Sequence, residues 1–184
     1  MLDYDTELML RASRGENAAF QELFDRHYKR AVNIAYRSIG DSDLAEDIAM
    51  DAFARIYESR RSFKPTAKFT TYLYRIVVNL SINAAKRQKT INNINLDDSL
   101  EIPASGSNPG QTIIREDLAR KVRQAVLSLP PSQRIALVLT RYEGFSHREA
   151  AEAIGTSVGA IESLLHRAKL NLYKALKSII ESEQ

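Results

Sequence analysis

The chain has 184 residues, 44% hydrophobic and 27% charged, and a formal net charge of +3, which suits one ordinary domain or two small ones and excludes a strongly charged disordered chain. Seven glycines and five prolines against many Leu, Ile, Ala, Arg and Glu favour long helices, so an all-α fold is predicted; with no cysteine and only His27, His147 and His166 as imidazoles, disulfides, metals and cofactors are not expected. The first residues lack the basic start and apolar run of a signal peptide and no stretch reaches the roughly 18 apolar residues of a span, so no membrane insertion and a cytoplasmic location are expected.

In chain order, Leu8, Ala12, Ala19, Phe20, Leu23 and Phe24 predict helices on both sides of Gly15, and Val32, Ile34, Ala35 and Ile39 carry a further one to Gly40. Asp41-Ser42-Asp43 is a helix start signal. From Asp43 to about Ser59, Leu44, Ile48, Ala52 and Ile56 recur at four-residue spacing and leave Asp47, Asp51 and Arg55 on a neighbouring face. Lys64-Pro65-Thr66 breaks the chain before a long helix from about Lys68 to Gln88.

That long helix has two stripes. Phe69, Leu73, Ile76, Val77 and Leu80 are predicted to pack inward, while Tyr72, Arg75, Asn79, Asn83 and Lys86 recur on another side. Aromatic, amide and cationic side chains are those that stack on unpaired bases, bond to base edges and pair with phosphates. The plainer alternative is a solvated face with one tyrosine packed on its neighbours. Charge sorting favours the first: acidic residues predominate before Glu58, whereas Arg60, Arg61, Lys64, Lys68, Arg75, Lys86, Arg87 and Lys89 are all the charges between 60 and 89. An acidic half joined to a basic half indicates two partners, one a polyanion.

Residues 90–112, rich in Asn, Asp, Ser, Gly and Pro with no helical period, read as a flexible linker between two helical domains, 1–89 and 113–184. In the second block Leu118, Val122, Ala125, Val126 and Leu129 mark a helix that Pro130-Pro131 terminates, Ser132 can cap the next, and Ile135, Leu137, Val138 and Leu139 carry it to Tyr142. Ser146 to Glu149 fits a capping box. A short helix to Ile154, a turn at Gly155-Thr156-Ser157 and a longer helix to about Leu176 then form a helix-turn-helix, with Ile154, Ile161, Leu165 and Ala168 facing its core. The second helix would enter the major groove by its N-terminal residues.

These blocks, in this order, resemble the sigma factors of the extracytoplasmic-function (ECF) kind, group 4 of the sigma-70 family. The carriers are AEDIAMDAFARIYESRRSF, FTTYLYRIVVNLSINAAKR, LPPSQRIALVLTRYEGFSHREAAEAIG and VGAIESLLHRAK. The resemblance implies a non-enzymatic transcription initiation factor that directs core RNA polymerase to promoters by reading the −10 and −35 elements and melting DNA. It implies docking of Asp47, Met50 and Asp51 on the β′ clamp helices, with Met50 replacing a frequent glutamine. It places Phe63, Lys64, Tyr72, Arg75, Asn79, Asn83 and Lys86 at the −10 element, with Tyr72 where tryptophan is frequent. Ser157, Gly159, Ala160, Glu162, Ser163, His166, Arg167 and Lys169 fall to the −35 element; Glu162 and Leu164 replace frequent arginines. The polymerase β flap, promoter DNA and an anti-sigma factor complete the implied partners.

Two other classes compete. An ordinary helix-turn-helix regulator with an N-terminal sensor or dimerisation domain would share the C-terminal block, but it has no need of the basic run and the Tyr72/Asn79/Asn83 stripe. A nucleic-acid enzyme would use Asp47 and Asp51 to hold magnesium, yet acids on a helix surface are more often solvated or partner-binding, and no Walker loop or catalytic triad is present.

Overall fold

A computed structural model describes residues 2–94 and 111–181, with side chains for 2–88 and 117–177; most of the segment read as a linker lies outside the described residues. Among the described residues all regular structure is helical, in eight α-helices. Helix α1 (Tyr4–Ser13) starts behind Asp3, whose carboxylate accepts from the Thr6 backbone N–H at 3.2 Å, satisfying a donor free at the helix N-terminus. The Thr6 hydroxyl accepts from the Phe69 N–H at 3.0 Å and so ties the start of α4 to α1.

Helix α2 (Asn17–Ile39) is one continuous rod rather than the two helices predicted around Phe24 and Val32. His27, buried, and Tyr28 and Ala31 carry the apolar stripe across the charged stretch between them. It ends at Gly40, whose φ of +84° suits glycine at a helix C-terminus. Helix α3 (Ser42–Ser59) is capped by Asp41, which accepts from the Leu44 N–H at 3.0 Å, and runs through a 3₁₀ turn at Arg60–Ser62. Helix α4 (Phe69–Ile94) continues past Gln88 into the segment read as linker. Leu8, Met9, Leu23, Ile34, Phe53, Ile56, Leu73 and Val77 are almost wholly buried where these four helices meet, and Phe24 and Phe20 meet Phe53 edge-on.

In the second block, α5 (Gln111–Ser128) leads to α6 (Pro131–Leu137). Pro131, not Ser132, sets the start of α6: it occupies the first helical position, where its missing N–H is no loss. A π turn at Val138–Tyr142 prolongs α6, and α7 (His147–Ile154) and α8 (Val158–Glu181) form the helix-turn-helix. Ile161 and Ala168 are buried as expected, while Ile154 and Leu165 are half-buried and Leu118 of α5 is 56% exposed.

The blocks also pack on each other. Tyr74, Val78 and Ala85 share a third face of α4 and are buried, and α4 lies against α6 and α7. One buried cluster therefore runs from Leu8 and Phe69 through Tyr74 to Ile135, Ala151 and Ile161.

Candidate nucleic-acid interface

On α3 Ala45, Ala49, Ala52 and Ile48 turn inward, and Asp47, Met50 and Asp51 stand out to solvent, Met50 being 51% exposed. The Arg55 guanidinium donates to both Asp51 oxygens at 2.9 Å. An exposed pair one helical turn apart is weak, so this carboxylate can be re-paired by a partner's cation at little cost.

Around the 3₁₀ turn, Ser59, Ser62, Phe63, Lys64, Thr66 and Tyr72 line a cleft of about 200 Å³ that Arg75 also borders. The Phe63 and Tyr72 rings lie 5.7 Å apart at 51°, and the Tyr72 hydroxyl is 3.4 Å from Ser59 Oγ. Both residues are half-buried, while Lys64, Arg75, Asn79, Asn83 and Lys86 are exposed. The steps from Asn79 to Asn83 to Lys86 keep these three on one side of α4.

In the helix-turn-helix, the Glu149 N–H donates to Ser146 Oγ at 3.2 Å and the Ser146 N–H to the Glu149 carboxylate at 2.9 Å, the predicted capping box. The two bonds from Ser146 hold the Glu149 carboxyl below its ordinary pKa. Gly155, at φ +79°, makes the turn. Ser157 Oγ accepts from the Ala160 N–H at 3.2 Å, which engages this hydroxyl in starting α8. Gly159, Glu162, Ser163, His166, Arg167 and Lys169 are exposed, Ala160 and Leu164 half-buried, and Leu164 packs on the core. Glu162 lies 3.7 Å from the His147 ring of α7.

The sequence reading missed a polar junction between the blocks. Arg30 of α2 donates to the Glu143 carboxylate at 3.1 Å and to the Glu143 carbonyl at 2.7 Å, with its guanidinium carbon 5.3 Å from the Tyr74 ring centre and 5.1 Å from that of Phe145. The extra apolar face on α4, Tyr74 and Val78, is the signal that could have revealed it.

A cationic and aromatic helix face, a separate acidic surface and an exposed helix-turn-helix stand together on an all-α frame, features that suit a nucleic-acid-binding protein. The sigma-70 region 2 family matches residues 23–91 and the sigma-70 region 4 family residues 119–172. The ECF RNA polymerase sigma factor SigW of Bacillus subtilis is 30% identical over 176 residues, spanning 90% of this chain and 93% of that protein. The RNA polymerase sigma-H factor of Pseudomonas aeruginosa is 27% identical over 97% of this chain and 96% of its own. The solved structure of CnrH in complex with the cytosolic domain of CnrY is similar at a TM-score of 0.68, with 28% identity, 96% of this chain and 99% of that one. This chain belongs to the sigma-70 family and is an RNA polymerase sigma factor of the ECF type.

Proposed function

We propose that residues 1–89 dock on core polymerase and read and melt the −10 element, that 113–184 read the −35 element, and that the segment between links them. The observation that carries this is the pairing, beside one cleft, of the Phe63 and Tyr72 rings with exposed Lys64 and Arg75, with exposed Asn79 one turn further along α4. An extruded base stacks on an aromatic face while cations hold its phosphates, and binding offsets unstacking of a few kcal/mol per base. The protein is not an enzyme in this reading; it lends sequence discrimination to a polymerase in the cytoplasm. CnrH has been solved with the cytosolic domain of CnrY, and an anti-sigma partner is proposed here likewise.

Run-off transcription with core polymerase and a promoter library tests the reading. Start sites that depend on the factor and share two spaced elements are expected; none appearing above core polymerase alone would overturn it. Charge reversal of Asp47 and Asp51 together should weaken retention on core polymerase at least tenfold with the helical circular dichroism unchanged, because both carboxylates lie off the buried face of α3.

A further inference from the structure

The helix that would meet the bases carries a carboxylate. Glu162 lies one turn into α8, and with Ser163, His166 and Arg167 it forms an exposed side opposite the buried Ile161 and Ala168. In a helix-turn-helix this N-terminal stretch is the part nearest the base edges. A carboxylate brought there faces the like charge of the phosphates and, once water is excluded, is costly unless a donor replaces its hydration. It therefore penalises every base that offers it no N–H. The major groove has few such donors. Guanine shows N7 and O6, both acceptors, and thymine shows an acceptor O4 beside a methyl group. Adenine sets its N6 amine next to the acceptor N7, whereas cytosine presents an N4 amine with no acceptor on the same base.

A second observation lies on α7. His147 is the first residue of that helix, directly after the Ser146 capping box, and its Nδ1 stands 3.7 Å from Glu162 Oε1. That separation exceeds a hydrogen bond, so the imidazole restrains the carboxylate without using up its capacity to accept. Both side chains remain open to an incoming duplex, at 46% and 61% exposure. The charged neighbours on α7 are engaged elsewhere: Glu149 accepts from the Ser146 N–H and hydroxyl, and Arg148 donates to Glu152 at 3.3 Å. His147 is thus the group that α7 sets against Glu162, and it belongs to neither of the residue sets given above for the −10 and −35 elements.

We infer that Glu162 makes the factor select cytosine at one position of the −35 element, by accepting from its N4 amine, and that His147 is the positioning residue that holds the carboxylate for it. The inference rests on the −35 reading proposed above, to which it adds the base and the residue from α7. An arginine at this place would instead donate to guanine O6 and N7, so the charge of this one side chain decides which base is favoured.

Run-off transcription by core polymerase with the full-length factor, from barcoded templates randomised only in the −35 element, scores each position separately. The unmodified factor should favour cytosine over guanine and thymine at one position by roughly five- to tenfold. Glu162→Ala should make that position indifferent and leave the others unchanged. Glu162→Gln, nearly isosteric, should move it to adenine, whose N6 and N7 match an amide. His147→Ala should keep the base but reduce discrimination there about two- to fourfold. His147→Gln, which can still donate to the carboxylate, should restore it, and His147→Ala added to Glu162→Ala should change nothing further. A His147 that merely starts α7 would instead lower the unfolding midpoint and weaken all positions alike, which would overturn the positioning role. A cytosine preference that survives Glu162→Ala, or a −35 preference with no cytosine in it, would overturn the inference and leave the −35 reading standing. No preference at any −35 position would overturn that reading as well.

Discussion

His27 bridges Asp5 and Tyr74 inside the first block, with Nε2 at 2.9 Å from the Asp5 carboxylate and Nδ1 at 3.1 Å from the Tyr74 hydroxyl. A carboxylate only accepts, so Nε2 carries the proton and Nδ1 accepts from the tyrosine. Burial pushes the His27 pKa below its ordinary 6.5, against the pull of Asp5. The unfolded chain then binds more protons just below pH 6.5, and stability should fall as pH drops through 6.5 toward the folded value. Burial likewise pushes the Tyr74 hydroxyl from 10 up to about 12, so stability should fall again between about pH 10 and 12, by roughly 2–3 kcal/mol. Urea unfolding across pH should show both slopes, and Tyr74→Phe should lose the alkaline one; an unchanged alkaline slope would refute the assignment. On the DNA faces, Tyr72→Ala should impair melting and be rescued by a pre-opened −10 template, while Asn79→Ala should lose about 1–3 kcal/mol of discrimination at one base. On α8, Arg167→Ala should relax one −35 position, whereas Lys169→Ala should weaken all sequences alike and lower the salt slope by roughly one unit or less. Selections with randomised promoters in the full chain separate these outcomes.

Helix ends carry much of the local information, and they were the most legible part of the sequence. The capping box at Ser146 and the start at Asp41 are short-range patterns whose hydrogen bonds join residues three apart, and both are formed. Removing the Ser146 hydroxyl by Ser146→Ala should cost about 1 kcal/mol in thermal or urea unfolding. Gly40 is more demanding: its φ is +84° and an added Cβ would stand 2.8 Å from Leu127 Cδ1 of α5. Gly40→Ala should therefore cost about 1–2 kcal/mol for the backbone alone and displace Leu127 as well, which a lowered unfolding midpoint would register. The division of α2 was misread because Asp25, Arg26, Lys29 and Arg30 interrupt the apolar pattern, and a buried histidine carries the stripe through them. Arg134 illustrates a second limit. The residue is 7% exposed and its guanidinium donates to the Leu127 carbonyl at 2.9 Å at the end of α5, a helix-terminus role suited to a cation that no periodicity discloses.

At the scale of the whole molecule, the family, the two helical blocks and the candidate DNA faces could be read from residues near one another in sequence, whereas the packing of the blocks could not. Arg30 and Glu143 are 113 positions apart, and neither belongs to a local pattern that names the other. Tyr74 and Val78 fit the apolar count of α4 whichever block covers them. Between α2 and α5 the closed arrangement leaves a groove of about 600 Å³ bordered by Tyr36, Arg37, Leu118, Val122, Arg123 and Tyr142, whose walls come from both blocks. Helix α4 shows what such an arrangement demands. Leu73, Val77 and Val78 are buried, Tyr74 meets His27 of the first block and Phe145 of the second, and Asn79, Asn83 and Lys86 face outward toward the proposed DNA. No side of this helix is idle between Tyr72 and Lys86. In a saturation-mutagenesis library scored for promoter-dependent growth, that stretch should tolerate fewer substitutions than the outer face of α2 around Gln21, Asp25 and Lys29, so change in the factor should accumulate on α2 and at α8 while α4 stays nearly frozen.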